Sequence, residues 1–199
     1  MGPREHETGD DEAQGIGTGF YLKGFSMSKN SSKENMGTWK VLTVYFSHSG
    51  NTRECARQIN ERVGGDLLEL IPARPYPQDY DTVVTQAKRE LQSRHRPELK
   101  ATAADPADYD IIFVGSPNWW NTVAPPVMTF LAGHDLTDKA IFPFITHEGT
   151  GLGRSAREIA ELCPGATVLD GIAIRGGEVR RAGEKLSEWL QKLGIAEAA

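Results

Sequence analysis

Val41-Leu42-Thr43-Val44-Tyr45-Phe46-Ser47-His48-Ser49-Gly50-Asn51-Thr52 decides the fold. Its first half is a nearly unbroken apolar, β-branched and aromatic run, the pattern of a strand covered on both faces. Its second half is short, polar and hydroxylated, and leads straight into Cys55, Ala56, Ile59 and Val63, which recur at helical spacing until Gly64-Gly65. A buried strand that turns sharply into a helix predicts the first unit of a βαβ series.

The rest of the chain repeats that alternation. Asp66–Ile71 reads as a second, more alternating strand suited to a sheet edge, and Tyr80, Val83, Val84, Ala87 and Leu91 mark a second helix. Ile111–Gly115 is a buried third strand. Pro125-Pro126 suit a first helical turn, followed by an apolar face of Val127, Phe130 and Leu131. Ala140–Thr146 gives a fourth strand, in which Pro143 predicts a gap or bulge because it cannot donate to the ladder. Leu152, Ala156, Ile159, Ala160 and Cys163 outline a fourth helix, Thr167–Ile174 a fifth strand, and Val179 to Leu193 a final amphipathic helix. Five strands alternating with five helices imply right-handed crossovers and a five-stranded parallel sheet with helices on both faces, an α/β three-layer sandwich. Ligands in such sheets bind beyond the carboxyl ends of the strands, where the strand order reverses.

Composition narrows the function. The 199 residues suffice for one well-buried α/β domain, expected over 39–199. A net charge of −5 excludes the basic footprint of a nucleic-acid binder, and no apolar run is long enough to span a bilayer. The acidic N-terminus lacks a signal-peptide core, and two cysteines, Cys55 and Cys163, give neither a disulfide framework nor a cysteine metal site. A cytoplasmic location is the expectation. Residues 1–38 read as an extension, either flexible or a docking arm built on Ile16, Phe20, Tyr21, Leu22 and Phe25.

Three loops follow strands one, three and four. In the first, the hydroxyls of Ser47, Ser49 and Thr52, the permissive Gly50 and the amides at Asn51 and beyond suit a phosphate dianion at a helix N-terminus. A hydroxyl-rich helix cap is the plainer alternative. The loop has no lysine, so it is not a Walker loop and ATP is not expected. In the second, Ser116–Thr122, the indoles of Trp119 and Trp120 offer flat faces, and Asn118 can donate and accept along a ring edge; one tryptophan could instead plug the core. The third loop, Thr146-His147-Glu148-Gly149-Thr150-Gly151, lets backbone amides approach a ligand, with His147 able to add a proton or positive charge.

Ser47-x-Ser49-Gly50-Asn51-Thr52 resembles the FMN-phosphate loop of flavodoxins. Pro75-Tyr76-Pro77 with Tyr80, Gly115-Ser116-Pro117-Asn118-Trp119-Trp120 and Thr146–Gly151 resemble one branch of flavodoxin-like proteins, so the likeness covers 39–195. The resemblance implies the flavodoxin-like strand order 2-1-3-4-5 and FMN as cofactor. It would be held by Ser47, Ser49, Gly50, Asn51 and Thr52 at the phosphate, by the backbone of Pro117, Asn118, Trp119 and Trp120 at the reactive edge of the ring, and by Thr146, His147, Gly149 and Gly151 at its pyrimidine end. Low-potential carriers of this family are strongly acidic and stabilise the semiquinone by flipping a glycine peptide near flavin N5. Here residues 37–199 carry 18 basic and 21 acidic residues, and the second loop offers Asn118 rather than glycine. These features favour a small FMN-dependent oxidoreductase, with NAD(P)H as donor, a quinone-like acceptor and His147 as candidate proton donor. A one-electron carrier serving a partner oxidoreductase and a non-catalytic interaction module are the other readings; homodimerisation fits the reductase.

Overall fold

The structure is a computed structural model that describes residues 39–102 and 104–195, so the expected arm at 1–38 lies outside the described residues. Strand β1 (Val41–Tyr45) pairs in parallel with β2 (Asp66–Glu69) on one side and β3 (Ile111–Trp119) on the other. Strand β3 continues in parallel with β5 (Ala140–His147), and β5 with both β6 (Thr167–Val168) and β7 (Ile172–Arg175). The order β2-β1-β3-β5-β6/β7 is the expected doubly wound arrangement, with β2 at the predicted edge. The remaining strand, β4 (Thr122–Val123), is antiparallel to β3.

Two apolar layers sandwich the sheet. On one face Leu42, Val44, Ile112, Val114, Ile141 and Ile145 pack beneath α2 (Tyr80–Ser93), α3 (Pro125–Ala132) and α4 (Ser155–Leu162). On the other, Phe113, Phe142 and Phe144 lie against α1 (Asn51–Val63) and α5 (Gly183–Lys192), through Cys55, Ile59, Leu186 and Trp189. Both cysteines are core residues; burial pushes the Cys55 thiol up to about 12 and Cys163 to about 11, which leaves them unreactive.

Two strands differ from expectation. β5 runs unbroken through Pro143, whose ring sits opposite Val114. The interruption predicted there falls on its neighbour instead: Ile141 pairs with Val168 and Phe144 with Ile172, so three residues face two and the fifth strand is bulged into β6 and β7. Proline cannot donate to that side, and the indole N–H of Trp189 donates to Asp170 O within the bulge at 2.9 Å. The final helix also begins later than its apolar spacing suggests, because Gly176–Arg181 forms a 3₁₀ turn before α5.

Helix α2 is capped by Asp79, whose carboxylate accepts from Thr82 N at 2.9 Å and from the Thr82 hydroxyl. Those bonds hold the Asp79 carboxyl below the usual carboxylate range. A group depressed in this way contributes stability above its unfolded pKa and loses it as pH falls through the folded value. Amide exchange in the first turn of α2 should therefore accelerate below about pH 4 in the wild type and show no such step in Asp79→Ala.

No helix among the described residues is long and apolar enough to cross a membrane.

Candidate FMN site

The three loops meet at the carboxyl edge of the sheet. The first turns at Gly50, whose φ of 92° lies in the left-handed region, and enters α1 with no side chain capping the helix. The Ser47 hydroxyl accepts from Gly50 N at 3.1 Å and fixes the turn. The amides of Asn51, Thr52 and Arg53 have no carbonyl one turn back within the helix, so the terminus presents unfilled donors and the positive end of the helix dipole. The capping alternative for this loop is not the observed use of its hydroxyls. The Thr52 hydroxyl is buried and bonds the Thr146 hydroxyl at 2.8 Å, tying the first loop to the third.

Arg53 turns away from this terminus. Its guanidinium pairs with Glu69 at 2.5 Å, and Tyr45 donates to the same carboxylate. Burial and Glu69 push the Tyr45 phenol up to about 12. The phosphate-type pocket is accordingly one of amides and hydroxyls.

The second loop is not a loop. β3 extends to Trp119 and folds back on β4, with Asn118 opposite Val123 and Trp119 opposite Thr122. The two residues between them, Trp120 and Asn121, have φ of 52° and 68°, the left-handed pair that closes a two-residue hairpin. Asn118 is in an extended strand, and its side chain donates to Gly151 O at 2.8 Å. Arg154 N donates to Asn121 O at 2.7 Å, so the hairpin is clasped by the third loop at two points. At its base the Ser116 hydroxyl accepts from Ala124 N at 2.8 Å.

The tryptophans diverge. Trp119 turns inward, edge-on to Phe46, Tyr76 and His48 at centroid distances of 5.5, 5.0 and 6.0 Å. Trp120 lies outward on α2, where its indole N–H donates to Val84 O at 3.1 Å. Sequence reading missed the box behind Trp119. Tyr76 is buried and donates to Glu90 at 2.5 Å, while Gln86 donates to the other carboxylate oxygen. Burial and the Glu90 carboxylate together raise the Tyr76 phenol far above its ordinary value. The one available signal was Glu90 recurring on the apolar face of α2, at i+7 from Val83. His48 bonds Pro77 O at 2.8 Å and links the first loop to the same box. Tyr76→Phe should lower stability by about 1–2 kcal/mol, because it leaves the buried Glu90 one partner short, and urea denaturation would read the change.

The third loop carries Thr146 on the α1 side of β5 and His147 on the other. Nδ1 of His147 is buried without a hydrogen-bond partner. Gly149 and Gly151 are open: a Cβ at either, as at Gly50, would meet nothing within 4 Å. Gly151 has φ of 65°. The Glu148 side chain lies beside Asn51, over Gly176.

A terminus of free amides, a rigid aromatic-backed hairpin and an open glycine loop define a site for a phosphorylated, planar, polar-edged ligand. The flavodoxin family profile matches residues 40–193, and the chain belongs to that family of FMN-binding proteins. A provisionally assigned flavoprotein from Bacteroides eggerthii DSM 20697 is 29% identical, covers 79% of this chain and 99% of its own, and superposes with a TM-score of 0.70. A flavoprotein from Lactobacillus acidophilus NCFM in complex with FMN is 27% identical over 72% of this chain and 98% of its own, with a TM-score of 0.58. No curated protein sequence matches the chain.

The residues present fit FMN. The uncapped α1 terminus suits the phosphate, the unpartnered His147 Nδ1 is a polar atom lacking a ligand, and the space above Gly50, Gly149 and Gly151 is clear of protein.

Proposed function

We propose that the protein binds one FMN and works as a small FMN-dependent oxidoreductase, taking a hydride from NAD(P)H and reducing a quinone-like acceptor. The phosphate is held by Ser47, Ser49, Gly50, Asn51 and Thr52, with the α1 amides as the main donors. Pro117, Asn118 and Trp119 hold the ring edge through the hairpin backbone. Trp119 is braced from behind by Phe46 and Tyr76. Thr146, His147, Gly149 and Gly151 form the pyrimidine end, where amides and the imidazole stabilise negative charge or hold a proton at N1 and O2. FMN supplies the electron chemistry when bound; the chain orients it and sets its electrostatics.

The observation that favours an oxidoreductase over a one-electron carrier is the locked peptide at Asn118. Its cross-strand pairing with Val123 and its side-chain bond to Gly151 O oppose the peptide flip that a carrier uses. The domain carrying this activity is 39–199, and the fold's common use of dimers makes a homodimer part of the proposal.

Steady-state oxidation of NADH and NADPH by the FMN-loaded protein with a quinone, and no partner protein, tests the reading. Turnover is expected. Absence of turnover, together with accumulation of a blue one-electron-reduced form on dithionite titration, would assign the protein to the carriers.

A further inference from the structure

The phosphate-type pocket is built of amides and hydroxyls, and a carboxylate stands beside it. Strand alternation turns Thr146 toward α1, where its hydroxyl meets that of Thr52 at 2.8 Å, and Glu148, two residues on, takes the same side. There it shares the space above Gly176 with Asn51: a Cβ on Gly176 would overlap Glu148 Oε1 and lie 2.6 Å from Asn51 Nδ2. Asn51 is the first residue of α1, so the carboxylate lies within a Debye length of the terminal amides, about 10 Å at 0.1 M salt. Glu148 is exposed and makes no hydrogen bond or ion pair among the described residues. The neighbouring cations are engaged elsewhere. Arg53 pairs with Glu69, Arg57 pairs with Glu54 and Glu61, and Arg180 acts on Glu54. Arg175 follows Ile174, a residue of the α1-side layer, and so alternates to the opposite face of the sheet.

We propose that Glu148 sets how tightly the phosphate of FMN is held, by opposing it. The carboxylate makes FMN more weakly bound, and so more readily exchanged, than the amides and hydroxyls alone would make it. This rests on the reading of the α1 terminus as the phosphate subsite. A carboxylate at a helix N-terminus is ordinarily favourable, because it complements the helix dipole. A phosphate dianion draws on the same dipole, so the two negative groups compete for one attraction and repel each other. Because Glu148 is exposed, water fills much of the space between them, and the repulsion is modest and sensitive to salt. Riboflavin carries no phosphate and escapes it. Glu148 therefore differs in sign from Ser49 and Thr52: its removal strengthens binding, and only for the phosphorylated flavin.

Fluorescence titration of the full-length apoprotein with FMN and with riboflavin, at low salt, tests the assignment. Glu148→Gln should tighten FMN binding about fivefold and leave riboflavin unchanged, and Glu148→Lys, which reverses the charge, should tighten FMN about twentyfold. In 1 M NaCl, where the Debye length falls to about 3 Å, the FMN affinities of wild type and Glu148→Gln should converge. Unchanged or weaker FMN binding in Glu148→Gln would overturn the proposal, and weaker binding of both flavins would assign Glu148 to holding the loop. A wild type that binds FMN no better than riboflavin would remove the phosphate subsite and the proposal together. A preference for FMN that is the same in wild type and Glu148→Gln would remove the role of Glu148 alone.

Discussion

Ser49→Ala combined with Thr52→Ala should weaken FMN binding about a hundredfold while changing riboflavin binding little. Hydrogen bonds to a charged group contribute about 1.5–3 kcal/mol each, so two lost hydroxyl contacts correspond to about 3 kcal/mol, or two decades in affinity. The α1 amides remain, which is why binding is weakened and not abolished. Riboflavin lacks the phosphate and isolates that contribution. Thr52→Ala also strands the buried Thr146 hydroxyl, its partner at 2.8 Å, at a cost of about 1–2 kcal/mol in stability. Thr52→Ser keeps both contacts and should behave close to wild type. Fluorescence titration of the apoprotein with the two flavins separates these effects; equal losses for FMN and riboflavin would mean that the hydroxyls serve the fold and not the phosphate.

Gly115→Ala should destabilise the domain by about 3 kcal/mol, the upper range for overpacking a filled core. Gly115 pairs with Tyr45 on one side and Phe144 on the other, in the middle of the sheet. A Cβ there would overlap the Phe144 ring and lie 2.8 Å from Tyr45 Cβ. The missing side chain is what lets the fully buried Phe144 ring lie flat across β3. Because Gly115 stands one residue before Ser116, whose hydroxyl fixes the hairpin base, FMN affinity should fall as well. Gly115→Ala with Phe144→Leu should recover much of the stability in urea denaturation. A single variant within about 0.5 kcal/mol of wild type would show that the sheet relaxes around the new methyl.

Most of this architecture was readable from chemistry along the chain, and the failures have physical causes. β1 and the start of β3 were legible because both faces are buried, so their apolar runs are nearly continuous. The α1 boundaries were legible because Gly50 and Gly64 both take left-handed φ, 92° and 72°. The hairpin was hidden because its turn is Trp120-Asn121, without the glycine that normally marks one. Pro143 signalled a defect correctly but not its strand: a proline removes a donor, and the neighbour that would have accepted is the one that bulges. The phosphate-type loop was recognisable from hydroxyls at fixed spacing. The roles of Trp119 and Trp120 were not, since two identical side chains in sequence give no hint of which one the hairpin turns inward. Glu90 was missed because a carboxylate on a helix reads as solvent-facing unless its partner, here Tyr76, is known.

The most direct measurement is the absorption spectrum of the purified protein, followed by identification of any flavin released on denaturation. A yellow protein that releases one FMN per chain is the predicted result. A colourless protein that takes up no added FMN would contradict the assignment of the α1 terminus as a phosphate site.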